Sequence, residues 1–167
     1  MAVSNKLLGL SGVEYEFKPA SFFPTPDTAA TSNFQIYTFF INKDWHKKAP
    51  PMEVMYTIFH EMRHMYQAVQ IEFRNKKDCL FYEEDKARVD LWKKELKSYT
   101  KPSMEEEEND QAYYSQDIEI DAVAFCELLA RVLFKSNIYI PDLIKARVEE
   151  RIKEIDEVIK LTELINN

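Results

Sequence analysis

The spacing of apolar and polar positions changes period several times along the chain, and each change marks an element. Residues 13–18 alternate strictly, with Val13, Tyr15 and Phe17 set against Glu14, Glu16 and Lys18, which predicts a half-buried strand. Three prolines among Ser, Thr and Ala make residues 19–32 a loop. The aromatic and β-branched run 34–41 predicts the strongest strand, closed by the turn signal Asn42-Lys43-Asp44. The period then becomes helical. Met55, Ile58, Phe59, Met62, Met65, Tyr66 and Val69 form one apolar stripe through residues 52–74, which no Gly or Pro interrupts. Pro50 and Pro51 punctuate the start of this helix, and Glu53 in its first turn complements the helix dipole.

Further along, the pattern breaks at residues 75–78. Spaced apolar residues (Val89, Leu91, Trp92, Leu96, Tyr99) predict an exposed helix over 82–99. Residues 101–111, with Pro102 and four consecutive glutamates, have almost nothing to bury and read as a solvated connector. Residues 118–134 are apolar on nearly every side and predict a buried helix, in which Glu127 and Arg131 can pair one turn apart. Pro141 opens a last helix whose face of Ile144, Val148, Ile152, Ile155, Ile159 and Thr162 suits it to cover a core. Residues 1–12 carry both glycines and form a short lead-in. The sum is an α+β fold, mostly helical, with a small sheet preceding the 52–74 helix.

Composition narrows this picture. At 167 residues and 46% hydrophobic, the chain is expected to fold as a single domain over residues 1–167. A net charge of -7 argues against nucleic acid or an anionic membrane as partner. Two cysteines are too few for a disulfide framework, so Cys79 and Cys126 read as reduced packing residues, with a single bridge or a ligand role for Cys126 as the alternatives. With neither a signal peptide nor a transmembrane stretch in the pattern, the expected location is cytoplasmic.

The chemistry gathers on the stripe-bearing helix. His60-Glu61-Met62-Arg63-His64 places two imidazoles four residues apart, on one face and one turn from each other. Both can reach one ion, and Glu61 between them can face whatever that ion binds. Zinc suits such a pair, because imidazole is a borderline-soft ligand and a site with three protein ligands leaves a position open. At about 100° per residue, both histidines fall opposite the apolar stripe, so the helix should pack its back on a core and present its imidazoles on the other side. A histidine pair on an ordinary amphipathic helix is the plain alternative.

With only three histidines in the chain, the third ligand must be His46, a carboxylate or a thiol. The positions three and six residues after His64 are Gln67 and Gln70, not the Gly and His of a metzincin. Glu119 is the best candidate, being an acidic residue at the start of a helix that should pack near the first, with apolar neighbours.

The segment Tyr56 to His64, preceded by Phe40-Ile41-Asn42 and followed by Glu119-Ile120-Asp121-Ala122-Val123-Ala124-Phe125, resembles the small gluzincin-type zinc metallopeptidases, in particular the ImmA/IrrE-like family of bacteria, phages and mobile elements. The resemblance covers about a third of the chain. It implies a zincin-like domain, zinc held by His60, His64 and Glu119, Glu61 as general base, and a peptide or protein substrate such as a repressor or other regulator. Arg63 stands where that family usually has Gly. Val123 stands where a polar partner for a ligand histidine is common, a role that Asp121, Asp117 or Gln116 could take over.

Two functions follow as expectations. One is peptide-bond hydrolysis, with the edge of strand 34–41 aligning the peptide and Tyr113, Tyr114 or His46 supplying an oxyanion donor. The other is a catalytically inactive zinc-binding interaction or regulatory module. The pattern leaves oligomeric state open.

Overall fold

The computed structural model describes residues 8–10, 12–75, 84–101 and 107–166. The chain divides into two compact units, Met1–Ala68 and Val69–Asn167.

The first unit is built on a three-stranded sheet of order β1-β3-β2 among the described residues. Strand β1 (Glu14–Lys18) runs parallel to β3 (Thr38–Asn42), and β2 (Ala30–Asn33) runs antiparallel to it, with Ser32 opposite Phe39. This arrangement alters three expectations. Residues 19–32 are not all loop, since they hold a 3-10 turn (Ala20–Phe22) and the whole of β2 apart from Asn33. The expected strand 34–41 begins only at Thr38, because residues 34–37 turn the chain from β2 into β3. The Asn33 side chain accepts a 3.1 Å bond from the Gln35 amide, and Tyr37 takes a left-handed backbone (φ 50°), the local devices of a tight reversal. Strand β3 is also central rather than an edge, which explains why Thr38, Phe39, Ile41 and Asn42 are all buried. Strand β1 forms as expected, but Tyr15 and Phe17 stay nearly half exposed.

Asn42 fastens the exit from β3. Its Oδ1 accepts from the amides of Asp44 and Trp45, capping the short helix α1 (Lys43–His46). Its Nδ2 donates to the carbonyls of Pro26 and Thr28, both at 2.9 Å. Helix α2 (Pro51–Asn75) follows, and Phe59, Met62, Met65 and Tyr66 of its predicted stripe are buried. The opposite face is not open as expected. Every residue from 61 to 67 is buried, His64 included, so this part of α2 is covered all round.

The second unit takes in the last turns of α2 and four further helices among the described residues: α3 (Lys86–Lys97), α4 (Glu107–Tyr114), α5 (Asp117–Leu129) and α6 (Asp142–Asn166). Helix α5 packs against α3, α4 and α6. The core consists of Val89 and Trp92 from α3, Ile118, Ile120, Phe125, Leu128 and Leu129 from α5, and Ile144, Val148, Ile152 and Ile155 from α6. Burial of these side chains is what holds the helices together, each contributing about 1.5–3 kcal/mol. Helix α4 overlaps the segment 101–111 expected to be a connector. The glutamate run offers nothing to bury, and the aromatic pair Tyr113-Tyr114 that ends the helix supplies its apolar surface. Residues 102–106 lie outside the described part, as do Cys79 and residues 1–7.

Helix α5 continues into a π-helical segment (Ala130–Phe134), and Lys135 closes it in the left-handed conformation. The expected Glu127–Arg131 pair forms at 2.6 Å, and Arg131 also holds Glu149 of α6. Val132, Leu133 and Phe134 are exposed, so burial ends sooner than the apolar run does. The buried guanidinium of Arg151 on α6 joins Asp121 at 2.7 Å and both oxygens of Glu84 at 2.8 Å, so no charge in this group is buried alone. Cys126 is buried. No helix among the described residues is long and apolar enough to cross a membrane.

Candidate metal centre

Helical geometry brings the two imidazoles of α2 together. Nε2 of His60 and Nε2 of His64 are 2.9 Å apart, with ring centroids 4.5 Å apart and the planes nearly perpendicular. His60 is partly exposed and His64 is buried. Two nitrogens this close repel one another unless a proton or a cation lies between their lone pairs. Glu119, in the first turn of α5, is the third member. His60, His64 and Glu119 each offer one ligand atom, and these atoms lie within 4.8 Å of one another, a set that could hold a metal ion.

Long-range contacts fix the first turn of α5, and none of them could be read from the sequence. The Glu95 carboxylate on α3 accepts from the amides of Asp117 and Ile118, both at 2.9 Å, and so caps the helix from outside. Gln116 clasps Thr100 by accepting from its amide and donating to its carbonyl. The Tyr99 hydroxyl donates to Glu119 Oε1 at 2.5 Å. Tyr113 stands beside the same carboxylate. Its phenol is pushed well above the ordinary tyrosine range by burial first, then by the negative charge of Glu119 and by Tyr99, so it keeps its proton. Glu119, only 1% exposed, is thus a buried carboxylate whose Oε1 accepts from the Tyr99 hydroxyl.

On α2, Gln67 Oε1 lies 2.8 Å from His64 Nδ1. Glu61 is 9% exposed, and the Ser32 hydroxyl of β2 donates to its Oε2. Arg63 is buried with its guanidinium 4.2 Å from the centre of the Tyr66 ring, a cation–π contact.

Comparison with protein-family models, curated proteins and solved structures gives no match to this chain. The metal-site geometry therefore stands on its own residues.

The remaining site expectations resolve unevenly. His46 is exposed at the end of α1, edge-on to Phe17, and is not in the cluster. Asp117 pairs with Arg88 and Arg147, Asp121 with Arg151, and Gln116 with Thr100, so the three residues named as partners for a ligand histidine have other engagements. The partner of His64 comes from Gln67, three residues along the same helix. Residues three apart on a helix are neighbours, so this spacing is the signal by which the pair can be found. Ser32 and Tyr99 had no local signal, because each meets its carboxylate across a separation that only the fold closes.

Proposed function

We propose that this protein is a zinc-dependent peptidase of the zincin kind, acting on a peptide or protein, with a regulatory protein as the substrate class that the sequence resemblance implies. The observation that carries the reading is the donor set of His60, His64 and Glu119 within 4.8 Å, with Glu61 on the same helix as the two imidazoles. Two imidazoles and one carboxylate suit zinc better than magnesium or calcium, which favour oxygen ligands alone. When bound there, zinc would supply Lewis acidity to a scissile carbonyl and to the attacking water.

The protein's own groups do the rest. Glu61 accepts the water proton on its carboxylate and delivers it to the leaving amine nitrogen. The Ser32 hydroxyl holds that carboxylate in one rotamer and leaves Oε1 for the proton. Strand β3 is flanked on both sides, so it does not align a substrate. The extended peptide pairs instead with the outer edge of β2, the strand that carries Ser32. Tyr113, one of the donors expected from the sequence, stands beside Glu119 and is the candidate to serve a developing oxyanion.

One observation favours a second reading, that of an inactive zinc-binding interaction module. Glu61 is nearly buried and already accepts a hydroxyl bond. The two readings separate in a single variant. Glu61→Gln should keep its zinc and lose hydrolysis of a denatured protein or peptide library by about 10²–10⁴-fold. Equal turnover by wild type and zinc-loaded Glu61→Gln would remove Glu61 from the chemistry, and zinc-loaded wild type without turnover would favour the module.

A further inference from the structure

We propose that Gln67 is a positioning residue that selects the tautomer of His64 and so decides whether its Nε2 lone pair is available to a metal; this inference rests on the metal-centre reading above. The amide is fully buried, and its Oε1 lies 2.8 Å from His64 Nδ1. An amide oxygen only accepts, so this contact places the imidazole proton on Nδ1. The lone pair is then on Nε2, the atom that points at His60 Nε2.

The opposite arrangement is the informative contrast. If the amide turned end for end, its NH₂ would donate to Nδ1, the proton of His64 would move to Nε2, and that N–H would occupy the space between the rings. His64 would then bond to His60 and be unable to take an ion. Both arrangements satisfy the 2.9 Å separation of the ring nitrogens, but only the one with the oxygen facing His64 is competent for metal. A neutral amide also polarises the ring less than the carboxylate often found behind a metal-bound histidine, so this histidine is a comparatively weak donor. Gln67 acts from within α2, one turn beyond the ligand it controls.

The test uses the full-length protein in three forms: wild type, Gln67→Met, which keeps the length and burial of the side chain without an acceptor, and Gln67→Glu, which restores one. Competition titration with a zinc chelator should show zinc affinity falling about 10–100-fold in Gln67→Met and recovering to at least the wild-type level in Gln67→Glu. Long-range ¹H–¹⁵N spectra of the metal-free protein should show His64 protonated on Nδ1 in wild type and shifted toward the Nε2–H form in Gln67→Met. Circular dichroism melts check that each variant is folded. Wild-type zinc affinity and an unchanged tautomer in folded Gln67→Met would overturn the inference and leave the metal centre intact. Failure of wild type itself to bind zinc, with Nδ1–H still seen on His64, would instead overturn the metal-centre reading and with it the role given to Gln67.

Discussion

Tyr113 shows how much a single side chain reports on its neighbours. Its phenol holds its proton more tightly than one in water, through burial first and then the adjacent Glu119 charge. In the unfolded chain it would ionise near the ordinary value of 10.0. The folded form therefore keeps a proton that the unfolded form releases. The resulting stabilisation is complete below about pH 10 and is lost as the pH rises further. Thermal melts across this range should fall more steeply for wild type than for Tyr113→Phe, and identical slopes would remove the phenol from the environment described. At this scale the motif was legible: His60, Glu61, His64 and Glu119 were all singled out from spacing and residue type. Ser32, Gln67 and Tyr99 were not, because hydrogen-bond partners are chosen by the fold and leave no period in the sequence.

At the scale of the element, the long helices were the most legible part of the chain. Helix α2 was placed within a residue at each end, because its stripe is long and its start is marked by Pro50-Pro51. The Glu127–Arg131 pair, read from i, i+4 spacing, is present. The sheet was the least legible. A run of Phe, Ile, Tyr and Thr has high strand propensity throughout, yet half of it became a turn because Asn33 and the left-handed Tyr37 reverse the chain there. The element that most affects the site is the start of α5, whose N-terminus is capped by Glu95 of α3 rather than by its own N-cap Gln116, which makes no side-chain capping bond. Glu95→Ala removes two charge-assisted bonds and should cost about 1–2 kcal/mol, a fall of about 2–8 °C in melting temperature. Zinc affinity should fall with it, since Glu119 sits in that turn. Unchanged melting and unchanged zinc binding would show that the cap neither stabilises the helix nor positions the ligand.

For the whole molecule, the expectation of a mostly helical α+β chain with a small sheet ahead of the motif helix agrees with the described architecture. Which strand would be central was not readable, because strand order depends on pairing between segments far apart in sequence. Nor was the covering of α2 on both faces. Hydrophobic periodicity locates the stripe that faces one core, but it says nothing about what covers the polar side, and here that side holds His64, Gln67 and Glu61 out of water. A ligand that binds only the folded chain stabilises it by about 2.7 kcal/mol at a hundred times its dissociation constant, so a genuine metal centre should be visible in the stability of the entire protein.

The most direct test is a zinc titration of metal-free wild type beside Glu119→Gln, followed by calorimetry. The account predicts one equivalent bound by wild type with a raised melting temperature, and affinity at least tenfold weaker in Glu119→Gln. Equal binding by the two proteins, or no binding by either, would contradict it.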